Sequence, residues 1–74
     1  MVKLPAVSGK DLIKALVKIG YSPIRQNGSH VQLACENKKS VTVPLHQSIG
    51  KGLLRKIMRD TELSLENLLN LLDR

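Results

Sequence analysis

The run Arg25-Gln26-Asn27-Gly28-Ser29-His30 constrains this chain more than any other stretch. Asn-Gly is the strongest short-range hairpin signal, because a two-residue type I′ turn needs positive φ at both positions and these residues tolerate it best. A turn at Asn27-Gly28 sets Gln26 opposite Ser29, Arg25 opposite His30 and Ile24 opposite Val31. Side chains alternate faces along a strand, so Ile24, Val31, Leu33 and Cys35 share one face and Arg25, His30 and Gln32 the other. The apolar face is the one to bury. His30 is left on the open face beside a cation, at a strand end held by a tight turn, and is the best-placed reactive side chain.

The hairpin extends in both directions. Residues 21–26 form the first strand, and Pro23, which donates no ladder hydrogen bond, points to an edge position or a late start to pairing. Residues 30–36 form the second and residues 40–44 the third, with Asn37-Lys38-Lys39 as the turn and Val41 and Val43 inward. That turn sets Cys35 opposite Val41 and Leu33 opposite Val43, and the same register carried further sets His30 opposite His46.

Helical patterns flank the strands. Ser8 is an N-cap with Asp11 three residues on, Leu12, Ile13, Ala15, Leu16 and Ile19 form an apolar stripe, and Gly20 stops the helix. Lys10, Lys14 and Lys18 line the opposite ridge, placed either to touch successive phosphates or simply to be solvated. After the loop at residues 47–52, Leu53, Leu54, Ile57 and Met58 form the inner face of a second helix reaching about Asp60, and Lys51, Arg55 and Arg59 its basic outer face. Phosphates bind well at such a helix start. Gly50-Lys51-Gly52 is not a Walker loop, which speaks against nucleotide hydrolysis. Ser64 caps a last short helix whose buried side is Leu65, Leu68, Leu69 and Leu72.

Length and composition set the scale. Seventy-four residues make one domain, 1–74, and a domain this small buries only roughly 60% of its unfolded surface. With no Trp or Phe and one Tyr the interior is aliphatic and thin, so a site must lie on the surface. Twelve Lys and Arg against six Asp and Glu give a formal charge of +6, which favours a polyanionic partner, or simply solubility. The single Cys35 excludes an intramolecular disulfide and a zinc-finger framework, and reads as a small buried hydrophobe. Two histidines without further ligands at metal spacing make a metal site a poor reading, and no cofactor is indicated. The opening Met1-Val2-Lys3-Leu4-Pro5 lacks a signal peptide's apolar run and no stretch suits a membrane, so a cytoplasmic location is expected.

The order helix, three antiparallel strands, helix, short helix predicts an α+β sandwich with helices on the apolar sheet face and the other face partly open. Gly20-Tyr21 closing the first helix, Gly28-Ser29-His30 after the turn, Val41-Thr42-Val43-Pro44-Leu45-His46 and the leucine-rich closing helices resemble the HicA family of toxins from HicA–HicB toxin–antitoxin pairs. The resemblance spans nearly the whole chain. It implies a fold like the double-stranded RNA-binding domain, α-β-β-β-α with a short extra C-terminal helix. It also implies an mRNA-cleaving activity that uses the histidine of Gly-Ser-His, here His30, and a HicB-like antitoxin that covers that site. Two departures stand out: Leu53 replaces the Thr of the family's Gly-Thr-Leu, and Asp60-Thr61-Glu62 stands where a glycine often separates the closing helices, a loop difference.

The chemistry of the residues agrees with that role. RNA carries its own nucleophile, the 2′-OH, so cleavage needs a base, an acid for the leaving 5′-oxygen and charge stabilisation at phosphorus. Neutral imidazole makes His30 a competent base. Arg25 on the same face is suited to hold the phosphate, and Ser29, directly before His30, is a further candidate for catalytic support. The acid stays open between His46, water and a lysine. Products are a 2′,3′-cyclic phosphate and a 5′-OH, with no metal required. Two other readings compete: a non-catalytic double-stranded RNA-binding domain, with strong salt dependence and no need of His30, and a protein-interaction module using the open sheet face.

Overall fold

Ser8 stands in extended backbone and its hydroxyl accepts the Asp11 N–H at 3.1 Å, which starts α1 (Gly9–Lys18) where the cap predicts. The computed structural model describes residues 4–72, so Met1, Val2 and Lys3 of the lead-in, with Asp73 and Arg74, lie outside the described residues. Gly20 ends the helix at φ +107°, its N–H donating to the Val17 carbonyl at 3.1 Å and that of Tyr21 to Leu16 at 3.0 Å. This is a Schellman ending, and it turns Tyr21 inward. Tyr21 is fully buried, its hydroxyl donates to the Lys39 carbonyl at 2.8 Å, and burial pushes the phenol above its ordinary pKa, with Cys35, Glu62 and Asp60 adding to the effect.

The rest of the chain runs β1 (Ser22–Asn27), β2 (His30–Ala34), β3 (Val41–Pro44), α2 (Lys51–Thr61) and α3 (Leu65–Leu72). The strands form one antiparallel sheet in the order β1-β2-β3, so Pro23 sits on an edge strand, as its missing N–H requires. Val31, Leu33, Val41 and Val43 are buried against Leu12, Ala15 and Leu16 of α1, Leu54 and Ile57 of α2 and Leu68 of α3. The α+β architecture of the sequence reading therefore holds.

Both registers differ from expectation, each by two residues. Asn27 pairs with His30, Gln26 with Val31 and Arg25 with Gln32, so Arg25 does not face His30 nor Ile24 face Val31. The loop is Gly28-Ser29, and of those two only Gly28 has positive φ (63°), the sign pattern of a II′ turn rather than the I′ turn of an Asn-Gly loop. A bulge at Ile24 then shifts the ladder so that Pro23 pairs with Leu33. Ile24 is the extra residue and is 58% exposed, not part of the core.

On the other side Leu33 pairs with Val41, Val31 with Val43 and His30 with Pro44, not Cys35 with Val41 or Leu33 with Val43. Residues 35–40 connect the strands, and Asn37 takes the left-handed conformation at φ 67°. The longer loop has work to do: Lys39 accepts from Tyr21, and Lys38 Nζ donates to the Thr61 carbonyl at 3.3 Å at the end of α2. Cys35 falls just past β2 and is half-buried against the core.

The helical stripes need smaller corrections. Leu53 and Leu69 are exposed at 37% and 44%, while Leu71 and Leu72 pack at the edge of the core. Val7, Ile49 and Leu63, all outside the helices, are buried in it. Glu62 occupies the left-handed position (φ 59°) between α2 and α3, with the Leu63 N–H donating to Met58 at 2.8 Å. A Cβ is strained there and glycine is not. Glu62→Gly is therefore expected to stabilise the fold by about 0.5–1 kcal/mol, read as a higher denaturant midpoint at unchanged slope.

Candidate active site

Alternation along β2 and β3 turns Val31, Leu33, Val41 and Val43 inward, which leaves His30, Gln32 and Thr42 on the uncovered face. There they meet Arg25 and Asn27 of β1 around an open depression of about 310 Å³. Among the described residues no carboxylate lines it. His30 is exposed, begins β2 and stands beside the turn, where Gln26 Nε2 donates to the Gly28 carbonyl at 3.1 Å. Arg25, His30 and Gln32 thus share the face the sequence gives them, although by a different pairing.

His46 comes to His30 by a different route from the one expected. The ladder pairs His30 with Pro44, yet the two imidazole rings lie edge to face with centroids 6.5 Å apart. Past Pro44 the Leu45 N–H donates to the Ser29 carbonyl at 2.7 Å, and the His46 carbonyl accepts the Gly9 N–H at 2.9 Å. Ser29 enters the site through that backbone carbonyl. The close approach of α1 depends on Gly9, since a Cβ there would overlap the Pro44 carbonyl oxygen. Ile49 N–H to Val7 carbonyl, at 2.8 Å, ties the start of α2 to the same end.

The basic residues divide by position. Lys10 follows Gly9 and Lys51 opens α2, so the backbone sets both at the histidine end. Lys18 and Arg59 lie about 12 Å further along their helices at 1.5 Å per residue. Lys18 Nζ donates to the Leu71 carbonyl at 3.1 Å, and Lys14 and Lys18 border a depression with Asp11, Leu71 and Leu72 between α1 and α3. Arg55 is exposed midway along α2. Arg59, Lys39 and Lys56 surround Asp60 at 3.8, 4.0 and 3.1 Å. The Lys56 hydrogen bond, aided by the charges of Lys56, Lys39 and Arg59, holds the Asp60 carboxyl below its ordinary pKa.

Asn27 and Thr42 are site residues that sequence reasoning does not single out. Thr42 carried the clearer signal, as the polar residue between inward Val41 and Val43. Among the described residues no three His, Cys, Asp or Glu side chains come together as a metal-binding group. Nor is any described helix long and apolar enough to cross a membrane.

A family model described as HicA toxin of bacterial toxin-antitoxin matches residues 9–63, from the start of α1 to Leu63, and includes the whole sheet and both histidines. Comparison with curated proteins and with solved structures gives no match.

Proposed function

This chain belongs to the HicA family, the toxins of bacterial toxin–antitoxin systems, and from that premise we propose that it is an endoribonuclease, an mRNA interferase, with His30 as general base. The observation that carries this reading is the exposed imidazole of His30 on the uncovered sheet face, in a depression shared with Arg25 and, among the described residues, free of lining carboxylates. RNA laid across that face supplies the nucleophile itself. His30 takes the 2′-OH proton as the oxygen attacks phosphorus, and the Arg25 guanidinium offsets the charge that develops on the phosphoryl oxygens. This chemistry calls for no metal. Asn27, Gln32 and Thr42 supply hydrogen-bonding groups around the strand.

Flanking phosphates fall to Lys10 and Lys51 at the histidine end, with Lys14, Lys18, Arg55 and Arg59 extending the positive field along the helices. A HicB-like antitoxin that covers the open face excludes RNA from it. The enzyme then works in the cytoplasm as a single domain over residues 1–74.

The test is incubation of an unstructured RNA with purified protein in the presence of a chelator, with the ends identified. Fragments ending in 2′,3′-cyclic phosphate and beginning with 5′-OH are expected. RNA left intact by folded protein that binds duplex RNA in a salt-sensitive manner would overturn the enzyme reading in favour of a binding domain.

A further inference from the structure

Resting on that endoribonuclease reading, we propose that His46 is the general acid that protonates the leaving 5′-oxygen. The two rings are 6.5 Å apart between centroids, which leaves about 4 Å or more between their nearest nitrogens, wider than a hydrogen bond of about 2.7–3.2 Å. They do not bond each other. The gap suits a reacting group held between them, with one oxygen within reach of each ring.

The main chain fixes that separation. Ser29 and Leu45 directly precede the two histidines, and the Leu45 N–H donates to the Ser29 carbonyl at 2.7 Å. On the far side the His46 carbonyl is held by the Gly9 N–H at 2.9 Å. These bonds fix the main chain that carries acid and base, and the exposed rings meet edge to face above it, so the two groups are held at one end of the sheet. Their roles follow from position. His30 lines the depression with Arg25 and so takes the phosphate and its 2′-OH, whereas His46, outside that lining, is left to face the departing 5′-oxygen.

In the step, the 2′-oxygen–phosphorus bond forms and the phosphorus–5′-oxygen bond breaks. The 2′-OH proton passes to neutral His30 and a proton from the His46 imidazolium passes to the 5′-oxygen. No water is consumed, and both exposed rings return to their starting states by exchange with solvent.

An RNA with one bridging 5′-sulfur provides the test, because a thiolate departs without an acid. On ordinary RNA, His46→Ala and His46→Gln are expected to cut roughly 10²–10⁴-fold more slowly than wild type. On the sulfur-linked RNA both should return to near wild-type rates, while His30→Ala stays slow on both. Variants that cut ordinary RNA at the wild-type rate would overturn the assignment and leave the nuclease reading standing. So would variants that melt like wild type yet are equally slow on both linkages. Wild-type protein inert on both would overturn the nuclease reading, and the acid with it.

Discussion

Replacing His30 with alanine is expected to slow RNA cleavage by roughly 10²–10⁴-fold, the usual contribution of a positioned acid or base. The loss should appear in the cleavage rate and not in the fold. His30 is exposed at the mouth of the hairpin, and its pairing with Asn27 and Pro44 in the ladder is made by the backbone. Its melting temperature should stay near that of wild type, and RNA affinity should persist through Arg25, Lys10 and Lys51. Single-turnover cleavage alongside filter binding at fixed salt separates the two effects. A variant that still cuts within a few-fold of wild type would remove His30 from the chemistry.

Gly9→Ala is expected to be the most damaging small substitution to the fold, at about 2–3 kcal/mol or more. The new Cβ would overlap the Pro44 carbonyl oxygen and press on Leu45 Cα, both parts of the main chain, so no flexible side-chain tip can yield. To relieve the overlap α1 must lift, and the Gly9–His46 hydrogen bond goes with it. For a small domain whose whole stability is of the order of 5–15 kcal/mol this is a large share. The contrast is Gly52→Ala, which meets nothing within 4 Å and lies inside α2, where alanine gains up to about 1 kcal/mol. Urea unfolding of both variants checks the pair, and a Gly9→Ala midpoint equal to wild type would refute the overlap.

Much of the fold was legible because its signals are local or obey parity. Ser8 and Gly20 mark α1 through capping chemistry that needs no tertiary information. The buried and open faces of β2 and β3, and of β1 from Arg25 on, were legible despite two wrong registers, since a slip of two returns a side chain to its own face; before the bulge the slip is one residue, and Ile24, read as buried, is exposed. The exact turn was not, because Gly28 serves an Asn27-Gly28 loop and a Gly28-Ser29 loop equally well, and the bulge at Ile24 that accompanies the second leaves no mark of its own. The β2–β3 loop was misjudged for another reason. Its length is set by partners far along the chain, Tyr21 and Thr61.

In the site, His30, Arg25 and Gln32 could be read from alternation. The nearness of His46 could be read only through a register that does not exist, while the bonds that produce it, from Leu45 to Ser29 and from Gly9 to His46, join backbone atoms that carry no residue signature. Leu69 illustrates the same limit on a helix, for helical periodicity allows it inward and packing selects Leu68, Leu71 and Leu72.

Strand β1 lies at a border of the sheet, and a border strand offers free amides and carbonyls to any other extended chain. Here that invitation is broken within a few residues: Pro23 has no amide to give, Ile24 bulges out of step, and Arg25 adds a charge that a second copy of the same strand would meet with its own. With all of β1 exposed, Pro23 and the bulge at Ile24 therefore work against edge-to-edge stacking of one copy on another, while the neighbouring face stays bare.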